Sequence, residues 1–255
     1  MRRSCVVVCC TVLVLLGVRQ ASGLPTMDEI KKRSAEATRK VRTYSSDMKM
    51  TMSMDGRNMT ATGNAVGMKV AQDGKTIQKL YQAMTTRAVT ADGRTMEMKQ
   101  KIVNDGKYRW EEMRHPMMPA PMVAKRRADA KNEIGLRHNV DPLDQFEAMG
   151  EVYDFKVIGE ETVGDVRCYV IEGTLKESFI KQVPDPRMLK AFTGKVKLFI
   201  GQDDMFPRRM TGQNADGQQS MSMDITNLKL NGQVDESLFR YTPPADAQVP
   251  DETGE

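Results

Sequence analysis

Cysteine is nearly absent from this chain in any position where it matters. There are four, and Cys5, Cys9 and Cys10 all fall within an N-terminal segment built like a secretory signal: Arg2 and Arg3, an apolar run from Val6 to Val18, then the small residues Ala21, Ser22 and Gly23. A cut after Gly23 leaves Cys168 as the one thiol of the exported chain. No internal disulfide can form, and residues 24–255 must be held together by their own core. The apolar run is shorter than the roughly 20 residues of a membrane-spanning helix, which argues against a permanent anchor. Net charge is lacking too. Without Arg2, Arg3 and Arg19 the 38 basic residues fall to 35 against 34 acidic ones, so nothing in the electrostatics points to nucleic acid. Also missing are HExxH, GxSxG, a phosphate-binding glycine loop and, in the exported part, CxxC. The adjacent carboxylates Glu111-Glu112, Glu160-Glu161 and Asp203-Asp204 are expected to point to opposite faces of a strand or to lie in turns, so they make no acid–base pair. Neither enzymatic activity nor a cofactor is expected.

Methionine, by contrast, is abundant, with 21 in the chain. Met48, Met50, Met52 and Met54 alternate with Lys49, Thr51 and Ser53, a period of two that puts all four on one face of a strand. The pattern returns at Met96 and Met98 and at Met221, Met223 and Ile225. Unbranched and polarizable, Met adapts to partners of varied shape better than Leu or Val. A surface shared by several such strands reads either as core beneath helices or as the wall of a cavity. Cys168, alternating with Val166 and Val170, reads as a buried inert thiol.

The dipeptides Asp55-Gly56, Asp73-Gly74, Asp92-Gly93, Asp105-Gly106, Asp216-Gly217 and Asn231-Gly232 accept the positive φ of tight hairpins. They predict an antiparallel meander with strands near Tyr44–Met54, Met59–Ala71, Thr76–Val89, Thr95–Val103 and Tyr108–Met113. A second set is predicted near Tyr153–Val163, Arg167–Leu175, Lys195–Ile200, Arg208–Gly212 and Ser220–Leu230. Helices are few. One starts at the N-cap Thr26 with Met27, Ile30, Ala37, Val41 and Tyr44 on one stripe; another is expected within Ala124–Met149, with Ile134, Leu143 and Phe146 as its apolar residues. The segments His115–Met122 and Lys176–Gly194 carry apolar side chains in long loops and read as flaps, with Met117, Met118 and Met122 in a lid. An antiparallel sheet with one apolar face must cover that face or curl around it.

Gly232-Gln-Val-Asp235, Phe239-Arg-Tyr-Thr-Pro-Pro244 and Val249 together resemble the C-terminal signature of the LolA-like periplasmic lipoprotein carriers. Val103-Asn-Asp-Gly-Lys107 followed by Trp110, the opening helix running through Val41 and Tyr44, and Tyr153-Asp-Phe-Lys-Val157 with Gly159 and Gly164 are similar to the same superfamily. The resemblance implies a mainly β (α+β) fold: a strongly curved antiparallel sheet forming an unclosed half-barrel with helices as lid, whose apolar concavity holds acyl chains. Its extent would be residues 24–249, after a signal peptide at 1–23 and before an acidic tail at 250–255. The family's latch arginine, in a segment resembling Lys-Arg-Pro, has no counterpart in Met68-Lys-Val-Ala-Gln-Asp73.

On this reading the chain is an exported periplasmic carrier that ferries lipids or the acyl chains of lipoproteins to the outer membrane, with membrane or envelope receptors as partners. Met48, Met50, Met52, Met54, Met96, Met98, Met221, Met223 and Ile225 would line its cavity. Trp110 joins them as a candidate, with core packing as its plainer role. Lys125, Arg126 and Arg127 read as a solvated run or as contacts to anionic headgroups. Two other readings stand beside this one. The same fold can serve as an envelope sensor or interaction domain without transfer, and His115, Met117, Met118 and Met122 gather ligands suited to Cu(I).

Overall fold

A computed structural model describes residues 23–54, 57–72, 74–89, 93–128, 145–181, 194–214, 217–247 and 249–250. The signal segment, the expected apolar positions Ile134 and Leu143, most of the Lys176–Gly194 flap and the acidic tail beyond residue 250 lie outside these.

Among the described residues, eleven strands form one antiparallel sheet. In chain order they are β1 (Thr43–Met54), β2 (Arg57–Gln72), β3 (Lys75–Val89), β4 (Thr95–Asn104), β5 (Tyr108–Arg114), β6 (Met122–Arg127), β7 (Tyr153–Val163), β8 (Val166–Leu175), β9 (Lys195–Gly201), β10 (Pro207–Gln213) and β11 (Gln219–Leu230). Their order across the sheet is β6-β5-β4-β3-β2-β1-β11-β10-β9-β8-β7. The ends β6 and β7 do not pair, so the sheet curves without closing. Ten of these strands lie where alternation and turn chemistry predict them. The eleventh, β6, takes residues assigned to the start of the second helix. Met122-Val-Ala-Lys-Arg-Arg127 pairs with β5, burying Val123 and leaving Met122 half-exposed; six residues of period two are enough for a strand and too few to settle a helix.

The turn glycines behave as expected at Gly74, Gly93, Gly106 and Gly217, all with positive φ. Asn231-Gly232 does not make a hairpin. Asn231 itself adopts φ 57° at the end of β11, and its side chain accepts from the Arg42 N–H at 2.7 Å and donates to the Lys40 carbonyl at 3.2 Å. It thereby stitches the last strand to the junction between the first helix and β1.

That helix, α1 (Met27–Lys40), begins with a capping box. The Thr26 hydroxyl accepts from the Glu29 N–H, and the Glu29 carboxylate accepts from the Thr26 N–H at 2.7 Å. Asp28 and Glu29 in the first turn and Arg39 and Lys40 in the last complement the helix dipole. The apolar stripe lands on the inner face of the sheet. Ile30, with no exposed surface, packs with Tyr169, Ile171, Leu198, Ile200 and Met205. Beside it Val41, Tyr44, Ala65, Leu80 and Phe206 form a second cluster. Two shorter helices, α2 (Gln145–Val152) and α3 (Glu177–Ile180), flank the start of β7 and the end of β8, where Val152, Tyr153, Phe179 and Val196 are buried together. The outer face has its own cover. The segment after β11, with a 3₁₀ turn at Glu236–Phe239, buries Phe239 against Val66 and Met68.

Candidate functional site

Register fixes which side chains share a face, because residues directly opposite in antiparallel strands point the same way. Met48 stands opposite Ile225, Met50 opposite Met223 and Met52 opposite Met221. Following the pairing outward gives three unbroken rows on one face. Met52 continues through Met59 and Ala88 to Met96; Met50 through Ala61 and Thr86 to Met98; Met48 through Gly63, Met84 and Gln100 to Met113 and Met122. On the other side Met223 meets Met210 and then Leu198, and Leu198 packs around Ile30 of α1. The methionine rows are therefore continuous with the helix-covered core and lie on the inner face.

Met48, Met50, Met52, Met96, Met98, Met221 and Met223 are half-buried, while Lys49, Thr51 and Ser53 between them are exposed; Ile225 is buried. Met54 pairs with Arg57 at the end of β1. Sequence periodicity missed Met59, Met84, Met113 and Met210, each the lone methionine of its alternating run. The signal that finds them is register, readable only once the hairpins are known.

The floor between these rows is β2. Its inward positions run Met59, Ala61, Gly63, Ala65 and Gly67. Small residues there let neighbours lie flat across the sheet. A Cβ on Gly63 would meet the Ala83 carbonyl oxygen at 1.9 Å and the Met84 sulfur at 2.7 Å, and one on Gly67 would meet the Tyr44 ring at 2.0 Å. Tyr44 is itself packed against Phe206, their ring centroids 5.7 Å apart. One end of the inner face is thus plugged by aromatic and aliphatic core, and the rest is paved with thioethers.

Beyond Met113 and Met122 on the same face comes an ionic cluster. Arg109, nearly buried, contacts Glu111 at 2.8 Å, and Arg126 lies 3.6 Å from the same carboxylate. Glu112 points the other way. Its carboxylate accepts from the Tyr241 hydroxyl at 2.9 Å and from Arg114 at 2.6 Å, with Lys101 at 3.7 Å. The two adjacent carboxylates thus face opposite sides, as expected for a strand. Burial raises the Glu112 carboxyl's pKa, but the bonds from Tyr241 and Arg114 and the nearby Lys101 and Arg114 charges outweigh it and hold the group below its usual range.

Trp110 does not share the methionine face. It stands opposite Val103, which stands opposite Tyr81 and, through it, Val66; that is the outer side, where its ring packs on Tyr241 at 5.4 Å between centroids. One position in the alternation moves a side chain through the sheet. Lys125, on the same outer side, has its ammonium 4.2 Å from the Tyr108 ring centre, whereas Arg126 points inward, so the basic run is split between faces.

The proposed lid residues also separate. Met117, 80% exposed, and Met118, 45% exposed, occupy the turn between β5 and β6, but Met122 belongs to β6. His115 turns back instead: its Nε2 lies 3.0 Å from the Met96 sulfur, and its Nδ1 accepts from the Met117 N–H at 3.3 Å. An imidazole accepting at Nδ1 carries its hydrogen on Nε2, which it donates to the thioether. The sulfurs of Met117, Met118 and Met122 take no part in that pairing. Cys168 is fully buried, and burial pushes its thiol pKa up.

Residues 140–250 match the profile of a family described as "Predicted periplasmic protein (DUF2092)". The unclosed, curved eleven-stranded sheet is the half-barrel architecture that the resemblance to the LolA-like carriers implies. The half-barrel is similar in structure to MucB, at 17% identity and a TM-score of 0.45, with 87% of this chain and 64% of that one covered. An uncharacterized conserved protein of Thermus thermophilus aligns over 88% of this chain and 98% of its own, at 11% identity and a TM-score of 0.46. LprF of Mycobacterium bovis aligns over 81% and 93%, at 12% identity and a TM-score of 0.42. In sequence, an uncharacterized protein of Methanocaldococcus jannaschii is 21% identical over 222 residues, covering 87% of this chain. The half-barrel spans 53% of that relative's length.

Proposed function

We propose that this is an exported periplasmic protein that binds the acyl chains of lipids or lipoproteins against its methionine-lined inner face and carries them across the envelope. The observation that carries the reading is the small-residue floor of β2 beneath side chains that can move aside. The Met84 sulfur lies over Gly63, and a thioether chain with three rotatable bonds can be displaced at little cost. An incoming alkyl chain gains roughly 0.8 kcal/mol for each CH₂ withdrawn from water. A wall that re-forms over its own floor when empty supports release as well as uptake, because the vacated surface is not left wet. The export signal at residues 1–23 and the description of the family matched by residues 140–250 both support a place in the periplasm.

Purified protein should take up pyrene-labelled phosphatidylethanolamine from donor vesicles and pass it to acceptor vesicles. The triple variant Met50→Gln/Met52→Gln/Met98→Gln should keep its strand content and lose uptake. A variant that transfers lipid as the parent does overturns the assignment of this face. Uptake without delivery to acceptor vesicles would leave binding in place and favour the sensor reading over the carrier.

A further inference from the structure

The rows of thioethers pose a chemical question that lipid affinity alone does not answer, since leucine would supply comparable apolar area though not the same adaptability. What methionine adds is a nucleophilic sulfur. We infer that the central patch formed by Met50, Met52, Met221 and Met223 is a site of reversible oxidation, and that its oxidation by peroxides expels the apolar occupant. The inference rests on the binding role proposed above.

Three observations support it. The four sulfur-bearing side chains are two directly opposed cross-strand pairs, Met50 with Met223 and Met52 with Met221, on neighbouring strands. All four are half-buried, so part of each side chain is open to a small oxidant. Their same-face neighbours across the strands include Ala61 and Gly212, which offer no side-chain donor to a new oxygen. In the reaction, a sulfur lone pair attacks one oxygen of hydrogen peroxide. An S–O bond forms and the O–O bond breaks; the hydrogen of the attacked oxygen passes to the departing one, which leaves as water; the sulfur loses two electrons and the peroxide gains them. The product sulfoxide is polar, and an apolar chain laid over it would bury that dipole unpaired. The chain's exported thiol is no competing target, because Cys168 has no exposed surface.

The experiment treats the exported chain with hydrogen peroxide, maps sulfoxides by peptide mass spectrometry, and measures binding of pyrene-labelled phosphatidylethanolamine before and after. Met117, far more exposed, should oxidise first and leave affinity unchanged. Oxidation of the patch should then weaken binding by at least about tenfold, the size of effect expected from one unpaired buried polar group. Bound lipid should protect the patch but not Met117. Methionine sulfoxide reductase with a dithiol should restore affinity. The variant Met50→Leu/Met52→Leu/Met221→Leu/Met223→Leu should keep after peroxide whatever affinity it has before treatment; should it not fold, the pair Met50→Leu/Met223→Leu should lose a smaller share of its own untreated affinity than the parent does. Cys168 should stay unreactive to a thiol reagent throughout, which separates loss of the occupant from loss of the fold. Binding within twofold of the untreated protein after the patch is oxidised overturns the inference and leaves the binding role standing. So does equal peroxide sensitivity in the leucine variant, or loss of affinity that coincides with exposure of Cys168. If the untreated protein binds no lipid at all, the binding role falls and takes this inference with it.

Discussion

The Tyr241 hydroxyl donates to the buried Glu112 carboxylate across 2.9 Å, and this bond fastens the C-terminal segment to the outer face of β5. Tyr241 also lies against Trp110, so one residue closes both a polar and an aromatic contact. The same arrangement raises the Tyr241 phenol, through burial first and the Glu112 bond and charge second, far above its usual range. Replacing Glu112 by Gln should cost about 1–3 kcal/mol at pH 7, as expected when charge-assisted partners lose their acceptor. Because the Glu112 carboxyl is held below its unfolded value, the stability it adds is present above the ordinary glutamate pKa and is lost as pH falls through the depressed folded value. Urea unfolding followed from neutral pH downward should therefore show a shallower acid loss in Glu112→Gln than in the parent. Parallel curves would remove Glu112 from the acid response.

Glycine at 67 is set by the Tyr44 ring. Gly67→Ala places a methyl where the ring stands, at 2.0 Å, and should destabilise by about 1–3 kcal/mol through overpacking. Gly159→Ala in β7 meets nothing within 4 Å and serves as the control, with a change in melting temperature close to zero. Equal effects at the two sites would mean that the ring does not occupy the space over Gly67 in solution.

Asn231 separates conformation from hydrogen bonding. Asn231→Gly keeps access to positive φ but loses the bonds to Arg42 and Lys40, whereas Asn231→Ala loses both. Alanine should therefore be the more destabilising substitution, by about 1 kcal/mol relative to glycine. Thermal unfolding of the pair decides it, and a glycine variant as unstable as the alanine one would put the whole contribution in the side-chain bonds.

Ile30 is the contact that seats α1 on the sheet. Ile30→Ala should cost about 2–5 kcal/mol, the usual range for emptying a fully buried aliphatic site. Hydrogen exchange should show the amides of α1 losing protection before those of β1. Uniform loss across both would indicate that helix and sheet unfold as one unit.

Much of this architecture is legible in the sequence because period-two alternation and Asp-Gly turns are local signals. Met48, Met50 and Met52 share a face on that ground alone, and the capping box at Thr26 and Glu29 marks the start of α1. The strand β6 is too short to declare its period, and it follows a proline-rich turn that reads as a flap. Trp110 keeps two roles open in the sequence for a different reason: its face depends on register with Val103, and a large aromatic looks equally at home on either side of a sheet. The complete methionine rows are equally non-local. Met59, Met84 and Met210 each stand alone on the inner face of their strands and acquire methionine neighbours only through pairing.

β1 is the sixth of eleven strands, with five on either side. Fraying starts at free edges and must pass through every intervening ladder before it reaches the middle. The residues offering the softest side chains are thus mounted on the backbone best shielded from solvent exchange. Amide protons of Met48, Met50 and Met52 should therefore exchange among the slowest in the chain, while their flexible thioether ends stay free to reorient. Such a wall is stiff in its frame and yielding in its lining, two properties that a single stretch of core packing does not combine.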